Sequence, residues 1–264
     1  MRELAGKVAV VTGGASGIGK AMAAAFVAEG MHVVVADVED AALDATVAEL
    51  GVTGVRCDVT SLDDVVRLRE AAITAFGAVH LVCLNAGVGG GGPIAESTAA
   101  DWDWVLGVNL FGVVHGARTF LPGLLAQGEG HVVLTASLAG LMAAPGLGPY
   151  NASKYATVAI AETLRAELAG SGVGVSVLCP GWVRTNIFTS GRNRPAELGG
   201  WSGPAVPGEV LDAVLAEAMA PAEVARHVVD AVRDGTFWIV THPEMLGSYE
   251  AKVAEVLATR AQRS

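Results

Sequence analysis

Short β-branched runs and longer amphipathic stretches alternate along the whole chain. Val8, Val10 and Val11 open the series as a strand apolar on both faces, the pattern of a buried parallel strand. Residues 18–29 then read as a helix that Gly30 ends from its C′ position. Further strands are predicted at 31–36, 54–57, 79–84, 131–137, 173–179 and 237–240. Helices fall between them at 41–50, 61–76, 98–121, 149–169, 209–219 and 221–233. Ser61 with Asp64 and Thr98 with Asp101 have capping-box spacing at two of the helix starts, and Gly77 closes the first of these two helices. A tail helix over 248–260 carries Tyr249, Val253, Val256 and Leu257 on one face. Strands and helices alternating at this density predict an α/β fold: a doubly wound parallel sheet of about seven strands, helices on both faces, crossing right-handed. No repeat or linker divides the chain, so one domain over 1–264 is expected. The rhythm breaks at 186–208, a polar stretch punctuated by Gly and Pro. It is too long for an ordinary connection and reads as a substrate loop or lid.

Ligands of such sheets bind beyond the carboxyl ends of the strands, and the chain's polar and glycine residues gather there. The turn from Gly13 to Gly19, with Ser16, Gly17 and Ile18 inside it, follows the first strand and opens a helix. Its glycines permit a tight turn and let the backbone approach a pyrophosphate at the helix N-terminus. Asp37 ends the second strand about 20 residues after the glycines, the position suited to ribose hydroxyls. Asp58 follows the third strand, Asn85-Ala86-Gly87 the fourth, and Pro180-Gly181 the sixth, while Ser137 ends the fifth. Taken singly, Asp58 could cap the next helix, Asn85 could shape a turn and Ser137 could start one, but polar residues that all collect at one edge favour a site.

Tyr150 and Lys154 lie four apart on the 149–169 helix, so their side chains share one face. An ammonium close to a phenol lowers the phenol pKa and yields a proton donor usable near neutral pH. If Ser137 faces this helix, its hydroxyl can hold a carbonyl oxygen while Tyr150 supplies the proton. Lys154 would also reach a cofactor ribose. Asn109 lies on the apolar stripe of the 98–121 helix, where a buried amide needs partners. Helix-to-helix hydrogen bonding and a polar relay behind the active site both satisfy that need.

Hydrophobic residues make up 52% of the 264 positions and charged residues 17%, enough apolar material for a large core. The formal net charge of −10 and the lack of a basic patch argue against nucleic acid or an anionic membrane surface as partner. No apolar run reaches the roughly 20 residues that span a bilayer. The N-terminus lacks the plan of a signal peptide. Cys57, Cys83 and Cys179 fall near strand ends as small apolar residues, which fits a reducing cytoplasm. No histidines are paired at ligand spacing, so no metal is expected.

Thr12-Gly13…Gly17-Ile18-Gly19, Asp58-Val59, Asn85-Ala86-Gly87, Asn109, Ser137, Tyr150-x-x-x-Lys154 and Pro180-Gly181-x-x-x-Thr185 together resemble the short-chain dehydrogenase/reductase family. The resemblance runs in order over nearly the whole chain. It implies a Rossmann fold, with Asn109, Ser137, Tyr150 and Lys154 as a catalytic tetrad. Asn85 to Gly87 would stand behind the adenosine part of the cofactor, and Val183 and Thr185 at the nicotinamide carboxamide. Ser16, Asp58, Val59 and Pro180 would complete the cofactor contacts. Asp37, without an Arg or Lys at 16, 37 or 38, points to NAD. The expected activity is hydride transfer between a secondary alcohol or ketone and the nicotinamide. The alternatives are a non-catalytic NAD-binding regulator and an NADPH-dependent 3-oxoacyl-thioester reductase. Ile187, Phe188, Leu198 and Trp201 are expected to face an apolar substrate. The opposite wall is expected from 89–94, 138–142 and Trp182. Two long helices that are apolar on more than one face, at Phe111, Val114, Phe120, Ile160 and Leu164, predict a homodimer or homotetramer. Four consecutive glycines and the tail from Thr241 depart from the family pattern, and the tail puts a standard tetramer in question.

Overall fold

The computed structural model describes residues 1–90, 92–199, 209 and 215–260. The strands are β1 (Val8–Thr12), β2 (His32–Asp37), β3 (Thr53–Arg56), β4 (Leu81–Leu84), β5 (Gly130–Thr135), β6 (Val173–Cys179) and β7 (Trp238–Val240). They form one parallel sheet in the order β3-β2-β1-β4-β5-β6-β7. Reversal of strand order between β1 and β4 opens a crevice at their carboxyl ends. The helices are α1 (Gly17–Ala28), α2 (Asp40–Leu50), α3 (Leu62–Phe76), α4 (Ala99–Leu106), α5 (Gly112–Gln127), α6 (Gly148–Glu167), α7 (Pro221–Asp234) and α8 (Gly247–Ala258). The fold is the doubly wound, Rossmann-type sheet that the alternation predicts.

Two cores explain why the strands are apolar on both faces. Val10, Val82, Leu84, Val132 and Leu134 pack with α3, α5 and α6 on one side. Ala9, Val11, Leu81, Cys83 and Val133 pack with α1, α2 and α7 on the other. Alternation along each strand thus sends successive side chains to opposite layers. Helix boundaries follow local chemistry. The Ser61 hydroxyl accepts from the Asp64 N–H, Thr98 and Asp101 form a reciprocal capping box, and Gly77 turns left-handed to end α3.

Three expectations are corrected. The helix predicted over 98–121 runs to Gln127 and is interrupted by a π-helical turn at Gly107–Phe111. By length and hydropathy alone, 99–127 would suffice to cross a bilayer, since one 18-residue window within it reaches a mean hydropathy of 1.2. In the fold it instead gives Val113, Ala117, Phe120 and Leu124 to the core. Phe120 and Leu164, expected to face a second chain, are therefore buried within this one, whereas Phe111 is 51% exposed. Within the 186–208 stretch, Asn186–Asn193 and Ala196–Leu198 are 3-10 turns. The remainder of that segment, with Trp201, and most of the predicted 209–219 helix lie outside the described residues.

Candidate active site

The Gly13–Gly19 turn is shaped by close approach. A Cβ at Gly13 would stand 2.9 Å from Ala86 Cα, and one at Gly19 would fall 2.0 Å from the Gly13 carbonyl oxygen. Gly13 and Gly17 also have φ of +63° and +51°, where a side chain is strained. Ser16 stands at the N-cap of α1 without a side-chain cap hydrogen bond. Ser16 and the first turn of α1, Gly17, Ile18 and Gly19, line the crevice, and a helix N-terminus there is a setting for an anion.

That crevice is a cleft of about 1500 Å³ running along the carboxyl edge of the sheet. Its lining takes Gly13, Ser16, Gly17, Ile18 and Gly19 from the first turn, Asp37 from β2, and Asp58 and Val59 beyond β3. Asn85, Ala86 and Gly87 follow β4 into it; Ser137, Tyr150, Lys154, Pro180, Val183 and Thr185 complete the sequence-predicted set. Asn109 is not on the lining. It is 1% exposed and sits within the π turn. Its Oδ1 accepts from the Val88 N–H at 2.8 Å, and its Nδ2 donates to the Val88 carbonyl at 3.0 Å and to Ser153 Oγ at 3.1 Å. The asparagine therefore brackets the strand-four loop to α6, the helix-to-helix bonding that the sequence left open beside a relay.

Other predicted residues are also bound into the frame. The Asp37 carboxylate accepts from the N–H groups of Ala15 at 3.1 Å, Val38 at 2.8 Å and Glu39 at 3.2 Å, which fixes its direction. Asp58 accepts from the Thr60 N–H and hydroxyl, so it also shapes a turn. Asn85 Nδ2 donates to the Thr12 carbonyl, and its Oδ1 accepts from the Thr135 hydroxyl, tying β1, β4 and β5 together at the crevice.

The chemical centre is on α6 and the end of β5. Tyr150 lies beside Ser137, whose Oγ accepts from the Ala139 N–H at 3.1 Å. The Lys154 ammonium stands 5.5 Å from the Tyr150 ring centroid and donates to the Thr135 carbonyl at 3.0 Å. The expected lowering of the tyrosine pKa is not met: burial raises the Tyr150 phenol, and the neighbouring Ser137 hydroxyl opposes that only in part. Burial likewise brings Lys154 down to about 8. Removal from water disfavours the charged form of each group, so both are pushed toward neutrality.

The far wall is apolar. Trp182 stacks on Phe188 with ring centroids 6.0 Å apart, and Ile187, Leu198, Leu138 and Met142 join them. Of the expected 89–94 wall, Gly89 and Gly90 reach the cleft, while Ile94 points to solvent at 72% exposed. The loop is pinned there, since the Gly89 N–H donates to Ser190 Oγ at 2.8 Å. The tail contributes residues that no sequence pattern marked. His242 Nδ1 accepts from the Gly181 N–H, and Met245 and Ser248 line the cleft. Lys252 donates to the Leu141 carbonyl and to Tyr155 Oη, holding α8 against this wall. Glu39, Arg56 and Arg192 also line the cleft and were not singled out, because nothing local to them signals a shared site. Among the described residues, no group of His, Cys, Asp and Glu is placed to hold a metal.

The donor set fits a dinucleotide: a glycine cradle that a Cβ would fill, a helix N-terminus, and a fixed carboxylate at the end of β2. Comparison with known proteins agrees. The family model described as short chain dehydrogenase matches residues 7–196. A curated relative, the C alpha-dehydrogenase of Sphingobium sp., is 36% identical over 93% of this chain and 83% of its own length. The 1-deoxy-11-beta-hydroxypentalenate dehydrogenase of Streptomyces exfoliatus is 43% identical over 74% of this chain and 73% of its own. A short chain dehydrogenase/reductase from Burkholderia phymatum, solved in complex with NAD, superposes with a TM-score of 0.93 at 43% identity, covering 98% of this chain and 97% of that one.

Proposed function

The chain belongs to the short-chain dehydrogenase family, and on that premise we propose that it is an NAD-dependent oxidoreductase acting on a secondary alcohol or the corresponding ketone. The observation that carries this reading is the meeting of Ser137, Tyr150 and Lys154, with the ammonium 5.5 Å from the Tyr150 ring centroid, in the same cleft as the glycine turn. A non-catalytic regulator has no use for that convergence.

NAD, when bound, supplies a nicotinamide that exchanges hydride with the substrate carbon. The protein's own part is to hold and move a proton. The Ser137 hydroxyl orients the substrate oxygen; the Tyr150 phenol gives that oxygen a proton in reduction, and its phenolate takes the proton back in oxidation. Lys154 stabilises negative charge on that phenol oxygen as the proton leaves. Asn109 acts through position, holding the 85–88 loop against α6. Trp182, Ile187, Phe188 and Leu198 supply an apolar wall that suits a largely apolar substrate. Both curated relatives described above carry dehydrogenase in their names, in keeping with this class.

A screen of secondary alcohols with NAD, followed by absorbance of the reduced nicotinamide, tests the proposal. Turnover of an apolar alcohol that disappears in Tyr150→Phe is expected. NAD binding without turnover of any alcohol or ketone would favour the regulator instead.

A further inference from the structure

From the sequence, cofactor choice rests on Asp37 and on the lack of Arg or Lys at 16, 37 and 38. The fold brings two arginines to that end of the cleft from elsewhere. Arg56 ends β3 directly opposite Asp37 in the sheet register, and Arg192 arrives on the Asn186–Asn193 turn. Both side chains line the cleft.

Each arginine is held by a carboxylate from the segment just after Asp37. Arg56 Nε stands 3.3 Å from Asp40 Oδ1, on an exposed surface. Arg192 makes the stronger arrangement: Nη2 donates to Glu39 Oε1 at 2.6 Å and Nε donates to Oε2 at 3.2 Å. Asn193 Nδ2 donates to the same Oε1 at 2.8 Å. The remaining Arg192 nitrogen, Nη1, donates to the Asn186 and Thr189 carbonyls and to Thr189 Oγ1. The guanidinium is therefore pre-set by its own turn and capped by one carboxylate. Asp37 organises the capping residue, since its Oδ1 accepts from the Glu39 N–H. Arg192 in return holds the Glu39 carboxyl below the usual carboxylate range.

A two-pronged guanidinium face is complementary to carboxylate and phosphate alike. We propose that Glu39 and Arg192 are a second determinant of cofactor choice, Glu39 occupying the guanidinium that would otherwise receive a 2′-phosphate on the adenosine ribose. The proposal rests on the reading of the cleft as a dinucleotide site. Asp37 excludes the phosphate by repulsion; Glu39 excludes it by withholding a cation that is already in place. Specificity built from both elements is harder to lose than either alone. Replacing Asp37 by itself therefore relaxes the preference only in part.

The test isolates the adenosine end. Calorimetry of the full chain with 5′-AMP and with 2′,5′-ADP is run on the unmodified protein, on Glu39→Gln, and on Glu39→Gln combined with Arg192→Met. Glu39→Gln is expected to tighten 2′,5′-ADP by about fivefold, the worth of one exposed charge-assisted contact, with 5′-AMP within about twofold. Adding Arg192→Met should remove the gain. No gain in Glu39→Gln, or a gain that survives Arg192→Met, overturns the proposal. Failure of NAD and of both fragments to bind the unmodified chain would overturn the dinucleotide reading itself, a different outcome from the first two. The ratio of kcat/KM for NADP over NAD should rise in the same order as the fragment affinities.

Discussion

Lys154 donates from its ammonium to the backbone carbonyl of Thr135 across 3.0 Å, in a position only 4% exposed. A lysine held this way keeps its charge at a cost. Its pKa falls from 10.5 to about 8 through burial, a penalty of about 3 kcal/mol when the site is fully protonated. The folded state releases the proton before the unfolded state does. Between pH 8 and 10 the unfolded chain therefore binds more protons, and the protein gains stability from this group as pH rises. Lys154→Met is expected to abolish activity yet melt at a higher temperature than the unmodified protein at pH 7. That advantage should shrink by pH 10. Thermal melts at both pH values check the sign, and an equal or growing advantage at pH 10 contradicts it.

Tyr150→Phe leaves the ring and its packing but removes the proton path. Turnover should fall by about three powers of ten while the NAD dissociation constant changes less than about threefold. Single-turnover kinetics with a binding titration separate the two quantities. A variant retaining a tenth of the activity would assign the proton to another group.

Asn109 satisfies the Val88 N–H, the Val88 carbonyl and Ser153 Oγ in a site closed to water. Asn109→Ala leaves the Val88 N–H and carbonyl unpaired, while Ser153 Oγ keeps its bond to the Tyr150 carbonyl, and should cost about 3 kcal/mol, read as a lower urea midpoint with an unchanged slope. Because the bracket holds the Gly87–Val88 backbone beside the cleft, NAD affinity should weaken with it.

Arg194 and Asp101 form an ion pair 3.0 Å apart with side chains 2% and 1% exposed, and the Arg194 guanidinium lies 5.4 Å from the Trp104 ring centroid. Arg194 also donates to the Leu198 and Gly199 carbonyls, fixing the end of the substrate wall to the first turn of α4. Arg194→Met takes the guanidinium from a buried carboxylate that keeps its bonds from Thr98, and should destabilise by about 3 kcal/mol. KM for an apolar substrate should rise more than kcat falls, since Leu198 loses its seat against Trp104 and Val105. An unchanged KM would separate this pair from substrate binding.

Phe111 and Leu125, 51% and 45% exposed, are apolar side chains on the long α4–α5 rod that the sheet does not cover. A homodimer or homotetramer that buries Phe111 is the expected assembly. Phe111→Glu should then lower the mass seen by light scattering at micromolar concentration, whereas an unmodified protein already monomeric would refute the assembly.

Hydrophobic rhythm alone determines most of the scaffold. Strand composition reports burial on both faces, and helical spacing reports the buried stripe, because both are set by local backbone geometry. It follows that Asp37, Ser137 and the Gly13–Gly19 turn could be placed at one sheet edge, and Tyr150 and Lys154 on one helix face, before any coordinates. Tertiary structure decided the rest. Whether Phe120 faced this chain's core or another chain depended on which layer its helix covers. The fate of Asn109 depended on the loop that packs beside it. The direction of the Tyr150 shift depended on how completely neighbours exclude water, which no spacing encodes. Glu39 and Arg192 are 153 residues apart and meet only because the turn after β6 reaches across the crevice to the end of β2. Local periodicity carries no information on such a meeting, since the order of strands in the sheet, not the order in the chain, sets which side chains become neighbours.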